Sequence, residues 1–455
     1  MTEPIRASKS ASEEFGVLWG LSWPVVLGLL GHMGTAVVDI AMVGRLGKEA
    51  LASCALAHMW CHSLVLLGRG VLQGIDPIVS QAHGAGDKKR VAYALQECLA
   101  VALLVTVPLV LWHFLAGPGL GVLQQPVSLI PDAHRFSVVL AVGVLPMLLF
   151  SAIRQVAQGL GIMRPAAYTY LAITGINVVL NAGLMYGKWG LPELGVVGCA
   201  WSTSICQFIQ LAIMIFLVRG TLREYWVSPW KAWRISGIVR VLRIGLPVGF
   251  QIGFEVWAFI FSGVIVGWLG ETAVAAHTVA LNLASVSFMM ALGVSQAATT
   301  RVGNLLGAGE SWSRSAWCAL VLSCGFMIVS AGAFFFFPEE LARVYTQDKE
   351  VLAIATVLIP IAAAFQLFDG LQNVAFGVLQ GVGDVRVPMG ITAIGLWLCG
   401  LPFGAWLAFQ KDWGAPGVWT GLALGLAIMS MLLIWRIQVV AKRGVLRIEP
   451  EISAT

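Results

Sequence analysis

The segment PVVLGLLGHMGTAVVDIAMVGRLGKEALASCALA, residues 24–57, returns as PVGFQIGFEVWAFIFSGVIVGWLGETAVAAHTVA, residues 247–280, with no gap between the two registers. Pro24 falls on Pro247, Val43-Gly44 on Val266-Gly267, and Leu46-Gly47 on Leu269-Gly270. Ala50, Ala52 and Ala57 fall on Ala273, Ala275 and Ala280. The same offset carries Gly70-Val71 onto Gly293-Val294, Gln73 onto Gln296, and Gly84-Ala85-Gly86 onto Gly307-Ala308-Gly309. One residue of slippage later, Gln158-Gly159 and Gly161 meet Gln380-Gly381 and Gly383. Apolar composition alone matches Val and Ala by chance. It does not put Pro, Gln and a Gly-Ala-Gly turn in one register, so the two halves of the chain repeat one fold.

What the repeat is made of follows from composition. Of 455 residues, 58% are hydrophobic and 11% charged, whereas a soluble domain needs roughly 25% charged residues to cover its surface in water. Apolar runs long enough for a hydrocarbon core of about 30 Å recur along the whole chain. Read between polar and Gly/Pro punctuation, they number twelve: 17–42, 53–80, 94–116, 132–156, 164–187, 195–218, 239–266, 274–300, 315–337, 351–379, 387–409 and 414–437. The runs are continuous rather than alternating with period two, which predicts helices and not a barrel. No polar stretch between them is long enough for a sizeable soluble domain. The expected fold is an all-α integral membrane protein of twelve transmembrane helices in two pseudo-symmetric, parallel six-helix lobes. The expected division is an N-terminal lobe over 1–218, a basic and aromatic cytoplasmic linker over 219–238, a C-terminal lobe over 239–437 and a cytoplasmic tail over 438–455.

Lys and Arg set the expected orientation. With both termini in the cytoplasm, nineteen of them fall inside and seven outside, the bias that inner loops carry. In the central stretch from Arg219 to Arg243, the longest polar connection, Trp226, Trp230 and Trp233 alternate with basic residues. That pattern reads as an amphipathic segment on the inner membrane surface, and spans on both sides argue against nucleic-acid binding. The N-terminus, polar and ending in acids, does not read as a cleaved signal peptide. None of the eight cysteines forms a C-x-x-C pair, and most sit in apolar spans as ordinary reduced thiols.

An even number of spans per half makes the repeats parallel, and two parallel halves suit a protein that rocks about a shared cavity to give alternating access. Membrane enzymes and channels need no such duplication. Ionisable residues within the spans sharpen this, because each costs about 2.5–3.5 kcal/mol at the bilayer centre and is expected to be functional. The acids are Asp39, Glu255 and Asp369, with Asp76 beside Pro77; the bases are Arg69 and Arg154, with Arg301 at a span end. A carboxyl so placed pairs with a cation or takes up a proton. The alternative for Asp39 is a structural pair with an arginine or with His32, seven residues away on the same helix face. Phe254, Trp257, Phe365 and Phe368 flank the C-terminal acids and suit stacking on a flat cation. His58 and His62 have the spacing of metal ligands but no nearby carboxylate, so they read as packing and no metal site is expected. His277 and Asn282 are expected to hydrogen-bond between helices.

Several motifs resemble one family. V-V-D-I-A-M-V-G-R-L-G (Val37 to Gly47), G-A-G-D (Gly84 to Asp87), P-V-G-F-Q-I-G-F-E (Pro247 to Glu255), A-A-H-x-x-A-L-N (Ala275 to Asn282), Q-A-A-T-T-R-V-G (Gln296 to Gly303) and Q-L-F-D-G-L-Q-N (Gln366 to Asn373) are similar to multidrug and toxic compound extrusion transporters, most nearly the NorM-type branch. The resemblance covers nearly the whole chain. It implies a multidrug efflux antiporter that exports amphipathic organic cations in exchange for Na⁺ or H⁺, not an enzyme, working as a monomer in the cell (inner) membrane, with lipid around it, no organic cofactor and no nucleic-acid partner. It also implies that Glu255 and Asp369 are cation-coupling carboxylates of the C-terminal half and Asp39 the N-terminal acid. His32 and the four aromatic residues are then the candidate substrate contacts. Gln380 departs from the family pattern, which usually carries Arg there. A flippase for lipid-linked sugars shares the architecture, but its pyrophosphate substrate calls for cavity cations where the deep groups here are mostly acids.

Overall fold

A computed structural model describes residues 10–225, 233–444 and 447–448, and among them the secondary structure is helical throughout. Arg6 and Lys9, the linker residues Trp226, Trp230 and Lys231, and the end of the tail from residue 449 lie outside the described residues.

Among the described residues, twelve helices are long and apolar enough to cross a membrane: α1 (Ala11–Gly44), α2 (Lys48–Gly84), α3 (Lys88–Phe114), α4 (Ile130–Gly159), α5 (Arg164–Tyr186), α6 (Gly195–Glu224), α7 (Ile235–Gly267), α8 (Glu271–Ala308), α9 (Ser313–Phe336), α10 (Lys349–Val382), α11 (Arg386–Gln410) and α12 (Ala415–Arg443). Each contains one of the twelve expected apolar runs or nearly so. Most extend past it, because hydropathy marks where lipid contact ends and not where i→i−4 hydrogen bonding ends. The helices reach furthest past their apolar runs at the central connection. α6 runs on to Glu224 and α7 already begins at Ile235, so most of the described part of Arg219–Arg243 is helix. The outer surface is apolar where soluble proteins are charged: Val329, Leu398 and Phe336 are each more than 70% exposed, a surface suited to lipid.

The repeat is visible in the backbone. Gly47, before α2, has φ 115° and ψ 173°, and its counterpart Gly270, before α8, has φ 112° and ψ 169°. Both lie where an L side chain is strained, which is why glycine holds both positions. The left-handed Gly86 matches Gly309 in the same way, and Gly161 matches Gly383 at the shifted offset. Helix neighbours repeat too: α2, α3 and α6 pack on α4 as α8, α9 and α12 pack on α10, and α5 packs on α6 as α11 packs on α12.

The halves differ where their sequences differ. α2 breaks at Gly74-Ile75 ahead of Asp76-Pro77, as expected where a proline removes a backbone donor. α8 has Ala297–Thr300 at that position and runs unbroken. α11 widens to i→i+5 turns over Ala393–Gly400, a feature that sequence does not announce.

The chain packs as two compact units. One comprises Met1–Val26, Ser80–Gly86 and Phe250–Thr455; the other comprises Leu27–Val79 and Asp87–Gly249. The divisions within α1 and α7 each fall two residues past a proline, Pro24 and Pro247, at equivalent points of the repeat. The core of the first unit gathers α8, α10 and α12 around Trp419, Phe365 and Leu358. All eight cysteines are free thiols, six of them buried.

Candidate functional site

The first unit brings two of the expected acids together. Glu255 on α7 and Asp369 on α10 are both buried. One side-chain amide serves both: Gln372 Nε2 donates to Glu255 Oε1 and to Asp369 Oδ1, each at 3.1 Å. Two such legs keep the oxygens within about 6 Å of one another. Among the described residues neither acid has a salt-bridge partner. Gln251, one turn before Glu255, and Gln372 each retain a buried side-chain oxygen without a donor. Two carboxylates without a fixed counter-charge, bordered by amide oxygens, form a place where a proton or a small hard cation relieves repulsion.

The aromatic residues around this pair divide. Phe254 and Trp257 meet edge to face at 6.1 Å, and Trp397 on the widened turn of α11 donates from Nε1 to the Phe254 carbonyl at 3.0 Å. Phe368 is partly buried against the core. Phe365 is 2% exposed, its ring taken edge to face by Phe259 and by Trp419. It packs as a core side chain, which differs from its expected place among the substrate contacts. Spacing from Asp369 could not reveal this, because apolar residues occur all around α10 and Phe365 and Phe368 both stand within one turn of the acid.

The second unit holds the third acid in a cavity of about 560 Å³ lined by α1 to α6. Asp39, His32, His58, His62, Arg69, Tyr170 and Asn177 all border it, with apolar residues such as Val65, Met147 and Phe150 making most of the wall. Among the described residues Asp39 is not paired with His32 or with an arginine; it accepts 2.6 Å from Asn181 Nδ2, whose amide also donates to Asn177 Oδ1 at 3.1 Å. His58 and His62, expected as packing, open onto the cavity with ring centroids 5.4 Å apart. No group of three His, Cys, Asp or Glu able to hold a metal occurs among the described residues. His277 does bond between helices, accepting from Trp419 Nε1 at 3.0 Å. Asn282 instead donates back to Thr278 O on its own helix.

The family model described as MatE matches this chain twice, over residues 24–182 and again over residues 247–406, once in each half of the repeat. The chain belongs to the MatE family. Curated proteins of the NorM type are among its relatives. It is 33% identical over 425 residues to the multidrug resistance protein NorM of Burkholderia vietnamiensis, spanning 91% of this chain and 92% of that one. It is 35% identical over 436 residues to the probable multidrug resistance protein NorM of Rhizobium meliloti, spanning 91% of each. Among solved structures it is similar to the Vibrio cholerae MATE transporter VcmN in its bent form, with a TM-score of 0.84 at 22% identity over 96% of this chain and 99% of that chain. It is likewise similar to a eukaryotic MATE transporter, with a TM-score of 0.86 at 21% identity over 95% and 98%; at these identities the likeness speaks for the fold. As a MatE protein the chain is a multi-pass membrane protein of a transporter family, not an enzyme.

The residues that sequence reading did not single out as partners of the acids are amides. Gln372 stands three residues after Asp369, and Asn177 and Asn181 stand four apart on one face of α5. Uncharged amides at helical spacing inside an apolar span are the signal that could have found them.

Proposed function

We propose that this MatE protein exports amphipathic organic cations, drugs and dyes among them, in exchange for Na⁺ or H⁺ by alternating access. Both termini face the cytoplasm, the membrane is the cell (inner) membrane, and one chain is the working unit. The two six-helix repeats, 1–218 and 239–437, act as the rocking lobes, joined by the linker over 219–238. Glu255 and Asp369 take up the coupling ion and Asp39 serves as the acid of the N-terminal half. Organic cations enter through contacts with Phe254, Trp257, Phe368 and His32.

The single observation that carries this reading is the Glu255–Gln372–Asp369 arrangement: two buried carboxylates on membrane-spanning helices, joined by one neutral amide and without a salt-bridge partner among the described residues. Intramembrane acids mark ion pathways and proton relays by default. When the ion occupies the pair it neutralises the charge, and when it leaves, the pair must find water or a cationic substrate; that exchange couples ion flow to substrate flow.

The test is purified protein in liposomes loaded with a fluorescent organic cation, with a Na⁺ gradient and a pH gradient imposed separately. One gradient drives export of the dye, and Glu255→Gln or Asp369→Asn abolishes it while leaving insertion intact. Wild-type rates in either variant would refute the assignment of the pair.

A further inference from the structure

The tail that follows α12 returns to the ends of three other helices, on the side that the proposed orientation makes cytoplasmic. One of them is α2, which continues past its break at Gly74-Ile75. Its last stretch, Ser80–Gly86, packs in the first unit, although the residues on either side, Leu27–Val79 and Asp87–Gly249, belong to the second. The fit is close. A Cβ on Gly84 would collide with the Asn304 carbonyl of α8, and one on Gly307 would collide with the Gln81 carbonyl. Gln81, 3% exposed, donates from Nε2 to the Gly381 carbonyl of α10 at 3.0 Å.

Two tail residues complete this junction. Ile448 donates its backbone N–H to Gln81 Oε1 at 2.9 Å, so the buried amide is satisfied at one end by α10 and at the other by the tail. Arg447 donates from a terminal nitrogen to the Gly307 carbonyl at 3.2 Å. That carbonyl stands in the last turn of α8, where acceptors lack a helical donor and the helix dipole favours a cation. The Ile448 side chain lies over Gly383, whose φ of 88° ends α10. The ends of α2, α8 and α10 thus form a receptor for a short stretch of backbone, and the chain supplies that stretch itself.

We propose that Arg447 and Ile448 are a latch on the cytoplasmic ends of α2, α8 and α10, with Gln81 as the residue that the latch engages. The inference rests on the transport reading above. When the repeats rock, Ser80–Gly86 moves with the second unit, to which both its flanks belong, and must leave α8 and α10 to open a path to the cytoplasm. The tail contacts break in the same step. A docked tail therefore holds that end shut, and its release favours opening.

The test is hydrogen–deuterium exchange, read by mass spectrometry, on the purified protein in nanodiscs. Ile448→Pro removes the N–H that Gln81 accepts, Ile448→Val keeps it, and a chain shortened after Gly444 removes the whole latch. Amides of Ser80–Gly86 and of residues 303–308 are expected to exchange about fivefold faster in Ile448→Pro and about tenfold or more in the shortened chain, the range of one and of two net hydrogen bonds. Ile448→Val, and the amides of α5 in every variant, are expected to stay at wild-type rates. Wild-type exchange at both stretches in the shortened chain overturns the proposal. So does a rise that α5 shares, because it reports general loosening. Gradient-driven dye export by the wild-type protein tests the transport reading separately: its absence strikes that reading, while the exchange rates still decide whether the tail holds these helix ends.

Discussion

Glu255 on α7 is held by Gln372 on α10, 3.1 Å from amide nitrogen to carboxylate oxygen, so the helix that carries Asp369 also positions the other acid. Removing the amide without adding charge isolates its role. Gln372→Leu is expected to lower ion-driven dye export about tenfold, the size of one hydrogen bond to a charged group, while the folded protein still elutes as a single species. Gln372→Glu, which adds a third carboxyl to the pair, is expected to lower it further. Initial rates in liposomes under the coupling gradient check both, and a Leu variant at the wild-type rate removes Gln372 from the mechanism.

The span count, the repeat and the acids were legible in the sequence because each leaves a mark that lipid enforces. An apolar run must be about 20 residues long to cross, and a charge within it is costly. The glycines at 47 and 270 were legible as a matched pair, since a positive φ restricts the choice of residue. Gln372 and Asn181 were not, because a neutral amide in a helix carries no comparable penalty and its partner is chosen by packing. Phe365 was misplaced for a related reason. A ring in a mostly apolar helix looks the same whether it meets the core or a ligand, and only its contacts with Phe259 and Trp419 distinguish the two. Glu14 reads as part of a polar terminus, and nothing local ties it to a residue on α8.

That tie is an ion pair inside the first unit. Arg301 donates from Nε to Glu14 Oε1 at 2.8 Å and from a terminal nitrogen to Oε2 at 2.9 Å, with Glu14 1% exposed. Removing one partner leaves a buried charge uncompensated, at a cost of about 3–5 kcal/mol. Glu14→Ala is expected to lower the unfolding midpoint by several degrees in a thermal melt in detergent. Replacing both residues with apolar ones, Glu14→Leu with Arg301→Met, is expected to recover most of the loss. A double variant as unstable as the single one would show that the pair is not the source of the effect.

Helix contact in the second unit depends on small residues. A Cβ on Gly245 of α7 would collide with the Val71 carbonyl oxygen of α2, and a Cβ on Gly74 would collide with the Gly245 backbone. Backbone atoms cannot rotate out of the way, so Gly245→Ala forces the helices apart, at a cost of about 1–3 kcal/mol. Gly220 on α6 has nothing within 4 Å of its added Cβ. Gly220→Ala is therefore expected to gain about 0.5–1 kcal/mol from helix propensity. Parallel melts of the two variants give opposite shifts. Shifts of the same sign refute the packing argument.

Asp39 separates charge from geometry in the cavity. Its Oδ1 accepts from Asn181 Nδ2, and Asp39→Asn can keep that acceptor while losing the negative charge. Because the acid has no ion-pair partner among the described residues, neutralising it removes a desolvated charge and is expected to leave thermal stability equal or higher. Dye export is expected to fall about tenfold or more, since the negative charge that attracts an organic cation is gone. Asn181→Leu acts the other way: it keeps the charge but strips its donor, so it is expected to lower stability by about 1–3 kcal/mol. Melting curves and initial export rates, measured on both variants, check the two outcomes separately. If Asp39→Asn melts lower than wild type and exports at the wild-type rate, Asp39 is a structural acid and the cavity binds its substrates without it.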